Sequence, residues 1–281
     1  MNRHEEIRYL NSLSVKEVVE KAGSHLVVKK NGSEIDSYMA EKMLSLIEDN
    51  NRLARPTAAI FPFGPVGQYP LMAAEINNKG ISLKKTIMFF MDEYANDSGE
   101  EIPEEHPLSF RGKFRKIFSK IDPALAPEPE NIIFPDSENI SNLHHKIREA
   151  EPIQVCYGGI GIHGHLAFNE PGEGVRFSDP RLIDINAYTV TINAIRENIG
   201  GNIVNFPKKA LTLGMNQILN AEEIILACRN GNLGIDWANT ALRLALLGVP
   251  GDDFPVTYLR EVEKYTIITD EETLAVPRYI I

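Results

Sequence analysis

The chain has 281 residues, of which 43% are hydrophobic and 24% are charged, a composition typical of a globular protein with one large or two small domains. The formal net charge of −10 argues against a nucleic-acid partner, which requires a basic face, but allows a small anionic substrate in a local basic pocket. No segment approaches the roughly 18 apolar residues of a membrane-spanning helix, and the polar start lacks the apolar core of a signal peptide. We therefore expect a cytoplasmic protein without a membrane partner.

In chain order, the first predicted element is a short helical extension formed by residues 1–30, which precedes a domain formed by residues 31–281. Apolar side chains at helical spacing predict an amphipathic helix over residues 34–48. Short apolar runs predict strands at 58–63, 86–91, 132–134, 153–157, 210–213, 224–228 and 265–269. Further helices are predicted near 71–76, 108–118, 140–150 and 235–246.

This alternation of strands and helices predicts the α/β class, with a single Rossmann-like domain whose mainly parallel sheet has helices on both faces. One connection, the polar segment 97–107, is longer than an ordinary connector and is predicted to be a lid or a loop of the site. Cys156 and Cys228 lie in apolar strands, so we expect two buried free thiols rather than a disulfide.

The stretch GGIGIHGHLAFNEP, residues 158–171, follows directly on the predicted strand 153–157. Its glycines let the backbone turn sharply and approach a ligand closely. His163, His165 and Glu170 follow within eight residues, just past the carboxyl end of the strand. Because ligands bind beyond the carboxyl ends of strands in open parallel sheets, this pattern predicts an active site.

The same stretch resembles the signature of the glucosamine-6-phosphate deaminase (isomerase) family. A second resemblance lies where the strand 86–91 ends in Asp92-Glu93-Tyr94, which is similar to a DEY motif of that family. Further similar segments are Glu105-His106-Pro107 with Ser109, residues 210–214 and residues 220–223. The resemblance extends from about residue 58 to residue 270. The related 6-phosphogluconolactonases share the glycine-rich element but typically lack the FNEP ending and the DEY motif, so the motifs favour the deaminase branch.

The resemblance implies an enzyme that converts glucosamine 6-phosphate, or a close analogue, to fructose 6-phosphate and ammonia. The pyranose ring must open, a proton must move from C2 to C1, and the imine must meet water. Acid–base groups suffice for these steps and no redox change occurs, so no cofactor is expected. Asp92 is the predicted proton carrier, because burial at a strand end raises the basicity of a carboxylate. The alternative for Asp92 is a helix N-cap.

His165 is predicted to open the ring by carrying a proton between O1 and O5, with Glu170 orienting its imidazole. The family usually has an aspartate where this chain has His163, the fourth predicted catalytic residue, which supplies no fixed negative charge. This change from aspartate to histidine is expected to affect ring opening, or the anomer of the sugar that is accepted. His163 and His165 also fit a metal site with Asp92 or Glu93, but their spacing alone is weak evidence, and no metal is predicted.

The predicted phosphate site also departs from the resemblance, which implies a TGGTP-like turn after the first strand. The segment 62–70 has Gly64 and Gly67 there, whose backbone amides can bind an anion ahead of the next helix; an ordinary turn is the alternative. The resemblance also implies an arginine before the segment 207–212, which Arg196 matches if a one-residue gap is allowed, and Arg196 is therefore the predicted phosphate cation. The predicted substrate contacts are Gly64, Gly67, Glu93, Gly159, Gly161, Gly164 and Arg196.

Two other regions bear on phosphate binding. The resemblance implies a basic residue after the strand 224–228, where the chain has the polar residues 230–233. Arg176 and Arg181 are alternative cations, although a solvated surface position is the default interpretation of both.

Four hypotheses therefore remain open at the level of sequence. The first is a glucosamine-6-phosphate deaminase-like enzyme. The second is a relative that acts on a different or unphosphorylated sugar, the third a sugar-phosphate-binding protein without turnover, and the fourth a lactonase. Retention of Asp92, His165 and Glu170 argues against pure binding, whereas His163 and the altered loop favour the second or third. A small-molecule amino-sugar phosphate is the expected partner, and a homo-oligomer is expected by analogy alone.

Overall fold

The computed structural model describes residues 1–231 and 234–281. Its strands are β1 (Leu26–Lys29), β2 (Thr57–Phe61), β3 (Thr86–Phe90), β4 (Asp92–Ala95), β5 (Ile132–Ile133), β6 (Val155–Gly159), β7 (Arg181–Asp184), β8 (Lys209–Thr212), β9 (Ile224–Ala227) and β10 (Tyr265–Asp270). Its α-helices are α1 (Arg3–Ser12), α2 (Val15–Ala22), α3 (Gly32–Arg52), α4 (Gln68–Lys79), α5 (Phe110–Phe118), α6 (Leu143–Glu149), α7 (Ala187–Arg196), α8 (Met215–Leu219), α9 (Asn239–Leu247) and α10 (Glu271–Leu274).

Among the residues that the structure describes, seven strands form one parallel sheet in the order β1-β10-β9-β6-β2-β3-β5. The pairing of β2 with β3 runs in register from Thr57 opposite Thr86 to Phe61 opposite Phe90. The carboxyl ends of β9, β6, β2 and β3 therefore meet at one edge of the sheet. A second, antiparallel sheet has the order β4-β8-β7.

Alternate residues of each strand point to opposite faces of the main sheet, and both faces are buried. In β2, Ala59 and Phe61 belong to one apolar cluster, whereas Ala58 and Ile60 belong to the other. The first cluster includes buried side chains of α3, α4 and α5, and the second includes those of α2, α8 and α9. The predicted single α/β domain, with a mainly parallel sheet and helices on both faces, is confirmed.

The amino-terminal segment 1–30 differs from a purely helical extension. It contains α1 and α2, but its last residues form β1, which pairs with β10 at the edge of the main sheet. Leu10 and Val18 are buried in the same cluster as α9. This packing joins the segment to the core, and the division at residue 30 remains a prediction.

Other differences concern elements near the second sheet. The predicted strand 210–213 is β8, which lies in the antiparallel sheet and not in the parallel one, and neither β7 nor α7 was predicted. The segment 97–107 is held against β4, since the Ile102 amide donates to the Tyr94 carbonyl oxygen at 2.9 Å. None of its residues lines the cavity at the carboxyl ends of β2, β3, β6 and β9. Among the described residues, no helix is both long and apolar enough to cross a bilayer.

Candidate active site

A cavity of about 460 Å³ lies at the carboxyl ends of β2, β3, β6 and β9. Each strand continues into residues that line it: 62–66 after β2, Asp92 after β3, 160–161 after β6 and 229–231 after β9. Residues of α5 and α7 also line it, as do Tyr94, Trp237 and the loop residues 165, 167 and 168. The volume is in the range of small-molecule sites, and the position is the usual one for ligands of open α/β sheets.

Asp92 reaches this cavity because the chain leaves the main sheet directly after β3. The Met91 amide still donates to the Phe61 carbonyl oxygen at 3.0 Å, and from Asp92 onward the backbone pairs with β8. The Asp92 side chain is buried. Burial raises the pKa of its carboxyl to about 8, and the negative charge of Glu93 adds to the rise. Such a carboxyl is a strong base once ionised, which suits removal of a carbon-bound proton.

Glu93 was predicted to contact substrate, but the structure places its carboxylate at the N-terminus of α5. It accepts hydrogen bonds from the Ser109 hydroxyl at 3.1 Å and from the Phe110 and Arg111 amides at 3.0 and 2.8 Å. These are donors that a helix start leaves unsatisfied. Neighbouring side chains of a strand point to opposite faces, so Asp92 enters the cavity and Glu93 caps the helix.

The glycine-rich loop after β6 closes tightly around His165. The Gly161 amide donates to the His165 carbonyl oxygen at 3.0 Å. A Cβ atom at Gly161 would lie 1.9 Å from His165 Nε2, so only glycine leaves room for the imidazole. Gly164 has φ of +71°, and a Cβ there would overlap the Phe254 ring. Gly161 lines the cavity, whereas Gly164 serves the packing of the loop.

His165 extends from the cavity to a polar cluster behind it. Its Nε2 lies beside Gly161, while its Nδ1 is 3.6 Å from Glu170 Oε2 and 3.4 Å from Thr189 Oγ1. Burial lowers the pKa of His165 to about 3, so the imidazole is neutral near pH 7. A neutral ring has one nitrogen that donates and one that accepts, which is the form needed to pass a proton between two sugar oxygens.

His163 and Glu170 complete this cluster. His163 Nε2 lies 3.4 Å from Glu170 Oε2, and the Asn186 side-chain amide donates to both, at 2.8 Å and 3.0 Å. Burial raises the pKa of Glu170 to about 7 and lowers the pKa of His163. Asn186 is also the N-cap of α7, where its side-chain oxygen accepts from two backbone amides. One asparagine therefore begins the helix and orients the cluster.

Three cations line the cavity: Lys113, Arg196 and Arg229. The Lys113 ammonium pairs with the Glu197 carboxylate at 2.9 Å, and the Arg229 guanidinium pairs with Asp36 at 3.3 Å. Arg229 lies two residues after the end of β9 and directly before the segment 230–233 considered in the sequence analysis. Asn232 and Leu233 of that segment lie outside the described residues.

Arg196, the predicted phosphate cation, lies with its guanidinium carbon 4.2 Å from the centroid of the Trp237 ring. Within residues 1–231 and 234–281 it forms no salt bridge with a carboxylate. Its charge is therefore available to an anionic ligand. Arg176 pairs with Glu261 at 2.9 Å and Arg181 donates to Asn169 at 2.9 Å, so both alternative cations are engaged away from the cavity.

The two predicted phosphate-binding glycines have different surroundings. Gly64 lines the cavity, and a Cβ at Gly159 would lie 2.7 Å from its carbonyl oxygen, so Gly159 permits the close approach of the two loops. Gly67 does not line the cavity. A Cβ there would lie 2.1 Å from an Asp36 carboxylate oxygen, which makes its small size a packing requirement at the start of α4.

Several residues of the site were not predicted from the sequence: Lys113, Asn186, Thr189, Asn193, Arg229 and Trp237. Arg229 was recognisable as a basic residue two positions after β9. Asn186 would have been recognisable as an N-cap residue if α7 had been predicted. Lys113 and Trp237 carried no signal, because only the tertiary arrangement brings their elements to the cavity.

No model of a known protein family matches the chain. Among curated proteins, it is 27% identical over 259 residues to the glucosamine-6-phosphate deaminase of Parabacteroides distasonis, across 89% of this chain and 90% of that protein. It is 29% identical over 254 residues to the glucosamine-6-phosphate deaminase of Actinobacillus pleuropneumoniae serotype 5b, across 82% of this chain and 91% of that protein.

Solved structures show the same fold. A monomeric glucosamine-6-phosphate deaminase superposes with a TM-score of 0.76 at 21% identity, over 90% of this chain and 99% of that one. A 6-phosphogluconolactonase from Thermotoga maritima superposes with a TM-score of 0.62 at 15% identity, over 87% of this chain and 98% of that one.

Proposed function

Because the chain belongs to the glucosamine-6-phosphate deaminase/isomerase superfamily, we propose that it releases ammonia from glucosamine 6-phosphate or a close amino-sugar phosphate, leaving the ketose phosphate. The observation that carries this proposal is the Asp92 carboxyl, buried at the cavity edge with a pKa raised to about 8. A binding protein or a lactonase has no need of such a base. An isomerising deaminase needs one to take the proton from C2 and return it to C1.

His165 catalyses ring opening. Its neutral imidazole presents Nε2 toward the cavity, where it accepts the proton of O1 and donates one to O5. Glu170 lies behind Nδ1 and balances the positive charge that forms on the ring during transfer. Asp92 then moves the C2 proton to C1, which produces an imine at C2. Water adds to this imine, and ammonia leaves as the carbonyl forms.

Arg196 binds the phosphate, and Arg229 and Lys113 are further cations that line the cavity. Arg196 carries the main attraction, because its charge is not neutralised by a carboxylate of the described residues. The amide of Gly64 contributes from the loop after β2. The loop retains backbone donors although its sequence, PFGPVGQYP over 62–70, differs from a TGGTP-like turn.

The test is ammonia release by the metal-free protein with glucosamine 6-phosphate, compared with unphosphorylated glucosamine. Asp92→Asn should lower kcat by about 100-fold or more, because general acid–base groups contribute on that scale. Asp97→Asn is the matched control, since Asp97 is exposed and undergoes the same chemical change. Ammonia release that survives Asp92→Asn would contradict the assignment of Asp92.

Lactonase activity is the second candidate, favoured by the superposition on a 6-phosphogluconolactonase. Lactone hydrolysis needs an acid–base histidine but no C2 proton carrier. Hydrolysis of 6-phosphogluconolactone that is unaffected by Asp92→Asn but lost in His165→Asn would identify a lactonase. The expected result is little lactone hydrolysis by the wild type and by both variants.

The homo-oligomer and the cytoplasmic location also remain proposals. Sedimentation of the purified chain tests the first: a single species at the monomer mass of 31.4 kDa would contradict it.

A further inference from the structure

We propose that His163, His165 and Glu170 form a binding site for a divalent transition-metal ion, with Zn²⁺ as the best-fitting ion. One ligand atom from each side chain lies within 4.8 Å of the other two. The donor set is two imidazoles and one carboxylate, a combination that zinc sites use. The sequence analysis predicted no metal and considered only Asp92 or Glu93 as further ligands, whereas the structure brings Glu170 to the two histidines.

The two distances from Glu170 to the histidines match a tetrahedral ion. Zinc–nitrogen and zinc–oxygen bonds of about 2.0–2.1 Å place neighbouring ligand atoms of a tetrahedron about 3.3 Å apart. Glu170 Oε2 lies 3.4 Å from His163 Nε2 and 3.6 Å from His165 Nδ1. Thr189 Oγ1 lies 3.4 Å from each of the same two nitrogens, so its hydroxyl is near enough to serve as a fourth ligand.

The charge balance of the cluster also favours a cation. Glu170 Oε1 is buried and has no hydrogen-bond partner among the described residues, and the Asn186 side-chain amide donates to Oε2 at 3.0 Å. A buried carboxylate with so few donors is stabilised by a nearby cation. The Asn186 amide now bridges Glu170 and His163, and it must turn away for the ion to enter.

Metal binding here inhibits the proposed deaminase, and this part of the inference rests on that proposed function. The ion takes the lone pair of His165 Nδ1, so Nε2 becomes an N–H group facing Gly161 and the cavity. Such a ring donates a hydrogen bond but has no lone pair with which to accept the proton of O1. The ion binds the Glu170 carboxylate at the same time, so neither His165 nor Glu170 can take part in ring opening.

The experiment measures binding and activity separately. The full chain is stripped with a chelator and dialysed into chelator-free buffer, and ZnCl₂ is titrated by calorimetry. Wild type should bind one ion per chain. His163→Ala should weaken binding by about 100-fold or more, since a direct ligand matters at least as much as the outer contacts that cost 10–100-fold. His163→Asn is a second variant, and the melting temperature of each shows that it folds.

His145→Ala is the matched control, because His145 is an exposed histidine on α6, and its binding should equal that of wild type. In the activity arm, one equivalent of zinc should abolish ammonia release by wild type. Binding that is no tighter in wild type than in His163→Ala, or that is lost in His145→Ala, would overturn the site. The binding arm decides the metal site even if the chain releases no ammonia, so the two proposals fail independently.

Discussion

Replacing Gly161 by alanine tests the position of the His165 ring directly. The new Cβ would lie 1.9 Å from Nε2, whereas ordinary contact begins at 3.4 Å, so the ring has to retreat by at least 1.5 Å. The ring is buried and has Glu170 and Thr189 close behind Nδ1, so it has little space in which to retreat without losing its orientation. A misplacement of about 1 Å costs on the order of 100-fold in rate, or about 2.7 kcal/mol of transition-state stabilisation.

The assay is kcat for ammonia release by the metal-free protein, with the urea midpoint measured in parallel to show that the variant folds. Gly172→Ala is the matched control, because its Cβ would meet only the Glu170 carbonyl oxygen, at an ordinary 3.9 Å. Gly172→Ala should keep kcat within about twofold, whereas Gly161→Ala should lose about 100-fold. A folded Gly161→Ala protein with normal kcat would refute the role given to His165.

Three further predictions follow from the same geometry. The pKa of Asp92 is raised from 3.8 to about 8 on folding, so between these values the folded chain holds a proton that the unfolded chain has lost, and stability falls as pH rises. Asp92→Asn removes this term and should raise the melting temperature by an amount that grows from pH 5 to pH 8; a constant difference would contradict the raised pKa. Glu93→Gln should lower the free energy of unfolding by about 1–3 kcal/mol in urea titrations, because one capping acceptor becomes a donor against the amides of α5; an unchanged midpoint would argue against the capping role. Arg196→Gln should raise KM for glucosamine 6-phosphate by about tenfold or more while kcat changes less, since a charge-assisted hydrogen bond to phosphate is lost; equal KM values would place the phosphate elsewhere.

Local sequence predicted every strand of the main sheet except β1, and also the glycine-rich loop at the end of β6. Apolar runs of four to six residues are buried on both faces, as in β2, and this pattern is readable without tertiary information. The glycines around His163 and His165 marked a tight loop at a strand end, and the loop has that form. Asp92 was predicted from an acid that directly follows an apolar strand, taken together with the glycine-rich motif, and it lines the cavity.

Tertiary structure decided what lies around those residues. Glu93 is adjacent to Asp92 in sequence, but its side chain points to the opposite face of the strand. There it accepts hydrogen bonds from the N-terminus of α5, which follows later in the chain. Asn186 and Thr189 reach the histidines from α7, and Lys113 and Arg229 reach the cavity from elements far apart in the chain. Sequence reading detects periodicity and local spacing, but the pairing of β4 with β8 and the placement of α7 are contacts between distant segments. The convergence of His163, His165 and Glu170 likewise depends on the folded chain, because three side chains separated by up to seven residues come together only when their loop closes.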